Sequence, residues 1–210
     1  MTTLTCRAVL ADMDGTLVDS TALVDRIWTT FSAEHGLDAR AVLAFAHGRP
    51  SVATLREFLP DHPDHDALVG ELEGVEVSGS GGTVEVPGAV DLVRSLPDGT
   101  WALVTSAGLA LARLRLGEVG LDLPEVAVTS EDVQVGKPDP EPYLLAAERL
   151  GVDPRDCVVL EDAPAGIAAG RAAGAAPVPH AQPPGRRPLR CDGGGRGGAA
   201  QRRRQHRRVG

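Results

Sequence analysis

Apolar residues along the chain come in short runs that alternate with amphipathic stretches. Ala8-Val9-Leu10-Ala11 is stopped by Asp12, and the runs at 101–104 and 157–160 stop in the same way at Thr105-Ser106 and Glu161-Asp162. Runs this short and this uniformly apolar predict strands buried on both faces of a sheet. A fourth short strand is predicted at 126–128. Between and after these runs, 89–96, 109–116, 140–150 and 165–173 carry helical spacing, with Pro140 in a first turn and Gly174 just past a last one. Strands that alternate with helices predict an α/β fold, a parallel sheet with helices on both faces.

One stretch breaks the alternation. From 18 to 84 the pattern is helical throughout, with helices predicted at 20–35, 39–46, 51–59 and 64–73. Leu23, Ile27, Trp28 and Phe31 share one face of the first, which Gly36 ends, and Ser51 after Pro50 reads as an N-cap. Ser78-Gly79-Ser80-Gly81-Gly82 reads as a flexible connector. The stretch is therefore expected to be an inserted all-helical cap, residues 18–84, on a core formed by 1–17 and 85–176.

Composition refines this picture. Aromatic residues make up only 3% of the 210-residue chain, so Leu, Val and Ala must fill the core. No apolar run has the roughly 18 residues of a membrane helix. The first seven residues lack the apolar centre of a signal peptide, which leads us to expect a cytoplasmic protein. Cys6, Cys157 and Cys191 are too few and too scattered for a disulfide framework or a zinc site. The net charge of −8 is uneven, because nine Arg against one Asp fall in 177–210. The acidic remainder argues against a nucleic-acid partner. Of the 21 Lys and Arg residues only Lys137 is lysine, which suggests that a compact ammonium is needed there.

In an open parallel sheet, ligands bind beyond the carboxyl ends of the strands. That edge would gather Asp12 and Asp14, Thr105-Ser106, Glu161-Asp162, and Lys137 from a neighbouring loop. Phosphoryl transfer needs a nucleophile, an acid/base, a cation and donors for phosphate oxygens. Asp12 is the candidate nucleophile and Asp14, two residues on, the candidate acid/base. Asp12 and Asp162, with Glu161 nearby, are candidate ligands for Mg²⁺. Thr105 and Ser106 are candidate phosphate contacts, and Lys137 would neutralise both phosphate and nucleophile. Taken singly, each feature is common: Asp-x-Asp is usually a solvated turn, and Lys-Pro-Asp-Pro usually just a turn. Four of them in this order carry far more weight.

Asp12-Met13-Asp14-Gly15-Thr16-Leu17-Val18-Asp19, Val104-Thr105-Ser106, Gly136-Lys137-Pro138-Asp139-Pro140-Glu141-Pro142-Tyr143 and Glu161-Asp162-Ala163-Pro164-Ala165-Gly166-Ile167 resemble the four motifs of the haloacid dehalogenase superfamily. The resemblance spans 8 to about 176. It implies a Rossmann-like core with a helical cap, and the Asp14 backbone carbonyl as a further metal ligand. An acid at Asp14 is similar to the superfamily's phosphatases and mutases, and its dehalogenases lack one. Ala46-His47-Gly48-Arg49 and Val84-Glu85-Val86-Pro87-Gly88 resemble the glycerol-3-phosphatase and 2-deoxyglucose-6-phosphatase group, with His47 and Arg49 as candidate substrate contacts.

The expectation is a Mg²⁺-dependent phosphatase acting on a small sugar or polyol phosphate through an aspartyl-phosphate, with a phosphorylated metabolite as partner and a monomer as the default. A β-phosphoglucomutase-type mutase is the alternative, but it depends on cap groups that include a lysine, and 18–84 contains none. A non-catalytic binder led by its basic tail is a third class. Residues 177–210, rich in Pro, Gly and Arg, have no apolar period and read as a disordered or frameshifted tail. Pro177 and Pro179 argue against a central strand there.

Overall fold

The computed structural model describes residues 4–46, 49–78, 82–179 and 189–191. Five strands form the central sheet: β2 (Ala8–Ala11), β5 (Trp101–Val104), β6 (Ala127–Val128), β7 (Cys157–Glu161) and β8 (Ala176–Pro179). Their order is β6-β5-β2-β7-β8, and every pair is parallel. All residues of β2 and β7 are buried, as expected for inner strands covered on both faces.

The two faces separate by the period of two. Val9 and Ala11 pack with Leu103, Val158 and Leu160 against α5 (Ala89–Ser95) and α6 (Leu109–Glu118). Ala8 and Leu10 pack with Ala102, Val104 and Val159 against α7 (Glu141–Leu150) and α8 (Pro164–Ala172). This is the Rossmann-like arrangement expected from the sequence. It sets the polar residues that follow β2, β5 and β7 side by side along one edge.

The inserted helical subdomain follows β3 (Val18–Asp19) and ends at β4 (Val84–Glu85), which pair antiparallel as a narrow neck. Two-residue strands leave no periodic signal, so the pattern of the sequence does not show them. Between them lie α1 (Thr21–Glu34), α2 (Ala39–Ala46), α3 (Ser51–Phe58) and α4 (His65–Ser78). They enclose their own apolar cluster around Leu23, Ile27, Trp28, Phe31, Val42, Leu55, Leu68 and Leu72. Gly36 has the positive φ of a helix stop. Ser51 is the first helical residue rather than the cap, a position that Pro50 takes. The largest difference is α4, which runs five residues past its expected end. Gly74, Val75 and Val77 are weak helix formers, but contacts with α6 override that preference.

β8 also departs from the expectation that ordered structure stops at 176. It pairs Val159 with Pro177 and Glu161 with Pro179. The strand lies at the sheet's edge, where a missing N–H can face away from the ladder, so prolines are tolerated. β1 (Leu4–Cys6) and β9 (Leu189–Cys191) form a separate parallel pair that sets the Cys6 and Cys191 sulfurs 2.7 Å apart. The rest of the tail, 180–188 and 192–210, lies outside the described residues, as do 79–81 of the expected connector. Among the described residues, no helix is long and apolar enough to cross a membrane.

Candidate active site

Asp12 follows the last residue of β2 and is only 7% exposed. Its backbone N–H still donates to the Leu160 carbonyl at 3.0 Å, so the sheet ladder fixes its place. Gly15 then turns the chain with a φ of 78° and lies directly against the Asp162 carboxylate, where any side chain would collide. Glycine at this position lets the β2 and β7 ends approach each other.

Lys137 reaches this edge from the loop before α7 and is 3% exposed. Its Nζ donates to Asp12 Oδ1 at 2.5 Å, to Glu161 Oε1 at 2.7 Å and to the Val104 carbonyl at 3.1 Å. An ammonium has three donors, and all three are used. Glu161 is held by two further bonds. The Tyr143 hydroxyl donates to Oε1 at 3.0 Å and the Ala163 N–H to Oε2 at 3.0 Å. Gly166 makes room for this carboxylate, since a Cβ there would fall on it.

Burial would pull the Lys137 ammonium down, but the negative groups around it, Asp12 foremost, hold its pKa well above the ordinary value. Burial pushes the Asp12 carboxyl well above the usual carboxylate range, against the opposing pull of Lys137. Lys137 divides its charge between two carboxylates, so it keeps its proton without fully offsetting the desolvation of Asp12. Asp162 is also raised, by burial first and then by the charge of Glu161.

Oxygens of Asp12, Glu161 and Asp162 lie within 4.8 Å of one another. Three carboxylates face one ammonium, and hard oxygens crowded at such spacing suit a divalent cation. The donor set therefore fits a metal site.

Asp14 faces the same space from the turn after β2. Its Oδ1 accepts from Ser20 Oγ at 2.6 Å and from Arg115 Nη1 at 2.6 Å. Arg115 Nη2 in turn donates to Glu76 of α4. Thr105 is buried, and its Oγ1 accepts the Ala107 N–H at 3.1 Å. Ser106 lies beside it, half-buried.

A cavity of about 260 Å³ opens over these groups. Asp12, Asp14, Thr105, Ser106 and Asp162 line its floor, and the helical subdomain supplies Val24, Trp28, Arg49, Glu73 and Glu76. The Arg49 guanidinium lies 4.4 Å from the Phe45 ring centroid. Of the residues singled out in the sequence, the structure thus brings together Asp12, Asp14, Thr105, Ser106, Arg49, Lys137, Glu161 and Asp162. His47 lies outside the described residues.

Sequence reasoning missed Arg115, Glu76 and the tie from Tyr143 to Glu161. A signal for the first two was present. Arg115 falls four after Leu111 and three after Ala112, on the apolar face of α6, and Glu76 falls four after Leu72. A charge inside an apolar stripe is a candidate for a buried pair.

This frame and site are those of a known class of enzyme. Residues 6–174 match the haloacid dehalogenase-like hydrolases, and the chain belongs to that family. It is an enzyme whose Asp12, Glu161 and Asp162 form the acidic cluster of a phosphoric monoester hydrolase. Hexitol phosphatase A of Escherichia coli is 44% identical over 173 residues, which cover 80% of each chain. Glycerol-1-phosphate phosphohydrolase 1 of Saccharomyces cerevisiae is 39% identical over 180 residues, covering 80% of this chain and 71% of the yeast protein. Among solved structures, CbbY from Rhodobacter sphaeroides in complex with phosphate superposes with a TM-score of 0.68 at 25% identity, covering 88% of this chain and 93% of that one.

Proposed function

We propose that the protein is a Mg²⁺-dependent phosphatase that hydrolyses a small sugar or polyol phosphate through an aspartyl-phosphate on Asp12. The observation that carries this reading is the buried Lys137–Asp12 contact beneath a small cavity that Asp12 lines. A lysine that spends all three donors beside a carboxylate holds that carboxylate rigidly and offsets charge at the point of attack. An ordinary surface ion pair has no such burial.

Asp12 attacks phosphorus, the bond to the substrate oxygen breaks, and Asp14 delivers a proton to the departing alkoxide. Water then attacks the phosphorus of the Asp12 ester, Asp14 takes its proton, and phosphate and free Asp12 result. Mg²⁺ bound by Asp12, Asp162 and the Asp14 backbone carbonyl, with Glu161 close by, would supply positive charge against the phosphate oxygens. Both oxygens of Glu161 already accept hydrogen bonds, so its main part is to aim Lys137. Thr105 and Ser106 border the phosphate position, with the Ser106 hydroxyl the freer donor.

The cavity supports this substrate class. Its volume is at or below the low end of pockets that hold small molecules, roughly 300 to 1,000 Å³. Beside Val24 and Trp28 its walls offer Glu73 and Arg49, polar groups that suit substrate hydroxyls. Hexitol phosphatase A and glycerol-1-phosphate phosphohydrolase 1, the relatives named above, support a polyol phosphate by their names.

The test is phosphate release from a panel of sugar and polyol phosphates, with Mg²⁺ and with EDTA, beside Asp12→Asn. Release that needs the metal and disappears in the variant is the expected result. Isomerised product without free phosphate would replace this reading by a mutase.

A further inference from the structure

The contacts of Arg115 reach beyond the nucleophile. Arg115 projects from α6 of the core and is 4% exposed. One arm of its guanidinium donates to Asp14 Oδ1 at 2.6 Å, and the other to the Glu76 carboxylate. Glu76 belongs to α4, which the chain reaches only through the inserted subdomain. A single planar cation thus joins the acid/base of the core to a carboxylate of the cap. Its Nε is buried and makes no hydrogen bond among the described residues, so the two carboxylates alone orient the fork.

The arrangement around Asp14 is asymmetric. Ser20 and Arg115 both bind Oδ1, and neither binds Oδ2. The Asp14 side chain is 33% exposed at the cavity. One oxygen is anchored, which leaves the other for proton transfer. The seat of Glu76 is itself set by packing, since α4 makes a second contact when Glu73 Oε1 accepts the Gly108 N–H at 3.3 Å at the start of α6.

We propose that Arg115 is a positioning residue for Asp14, and that Glu76 makes this positioning depend on the cap helix α4 lying against α6. The proposal rests on the reading of Asp14 as the acid/base. A general acid works only within hydrogen-bond reach of the atom it protonates, and a misplacement of about 1 Å can cost roughly a hundredfold. When α4 lifts away, Arg115 loses one of its two anchors, and Asp14 loses a fixed donor.

The test compares two leaving groups in Arg115→Met. A polyol phosphate needs a proton on its departing alkoxide, whereas 4-nitrophenyl phosphate does not. The expected result is a kcat on glycerol phosphate reduced by about 10- to 100-fold with KM nearly unchanged, while the first-turnover burst of nitrophenolate stays within about twofold of the parent. Arg115→Lys, which can hold Asp14 but cannot fork to both carboxylates, should recover part of kcat. An equal loss of the burst, a loss carried by KM, or an unchanged kcat on glycerol phosphate would each overturn the proposal. If Arg115→Met does not fold, Glu76→Gln takes its place, with the same split at smaller size. Nitrophenolate release that survives in Asp12→Asn would refute the Asp12 reading instead, so the two failures are distinguishable.

Discussion

Replacing Lys137 by Met separates the electrostatic account from a purely steric one, because the shapes are close and the charge is gone. The substitution removes three Nζ bonds, to Asp12, Glu161 and the Val104 carbonyl. Glu161 retains the Tyr143 hydroxyl and the Ala163 N–H, but Asp12 loses the only hydrogen bond its side chain is seen to make among the described residues. Two carboxylates, at 7% and 1% exposure, then share one dry site. Breaking a buried pair by removing one partner costs about 3–5 kcal/mol, a large share of a typical folding free energy of roughly 5–15 kcal/mol. Partial protonation of the stranded carboxylates relieves some of this, so we expect about 3 kcal/mol. The charge opposite the reacting phosphate is also lost, and kcat should fall by at least about 100-fold. Urea denaturation of the metal-free protein reads the first quantity, and phosphate release at saturating Mg²⁺ reads the second. A variant within about 1 kcal/mol of the parent that keeps most of its activity would refute the claim that Lys137 offsets buried charge here.

Two further outcomes follow from the same packing. Burial raises Glu76 from 4.5 to about 7, against the pull of Arg115. The folded state therefore holds a proton that the unfolded chain releases, and stability should fall as pH rises from 4.5 to about 7, by up to about 3 kcal/mol, then level off. Denaturation midpoints across that range should show the fall, and Glu76→Gln should flatten it; a Glu76→Gln profile identical to the parent's would contradict the assignment. Gly166→Ala places a methyl where the Glu161 carboxylate lies, so it should destabilise the fold by about 1–3 kcal/mol and lower kcat through the displaced Lys137. A fully active Gly166→Ala of parental stability would show that Glu161 has other room.

The floor of the site was legible because its parts are local. Each of β2, β5 and β7 announces itself as a short apolar run, and each ends in the polar residues that the sheet then gathers. A parallel sheet needs nothing more to align them, since the strands share one direction. Lys137 stood out by its rarity. The pairing of Arg115 with the cap was hidden for a different reason. Glu76 and Arg115 are 39 residues apart on helices from separate parts of the fold, and their pairing depends on how α4 meets α6. The end of α4 was misjudged for the same cause, because tertiary contact decides the fate of its valines and glycines. Tyr143 closes the motif that holds Lys137, and only the approach of β7 shows that its hydroxyl serves Glu161. The prolines of β8 obscured a strand that an edge position permits.

The central claim is that Asp12 carries the phosphoryl group between substrate and water. The most direct measurement is to mix enzyme with excess glycerol phosphate and Mg²⁺, quench in acid within the first turnover, and map the phosphorylated peptide by mass spectrometry. The expected result is one phosphoryl group on Asp12, formed at least as fast as turnover and absent from Asp12→Asn. Turnover that persists in Asp12→Asn, or a phosphoryl group on any other residue of the parent, would contradict the claim.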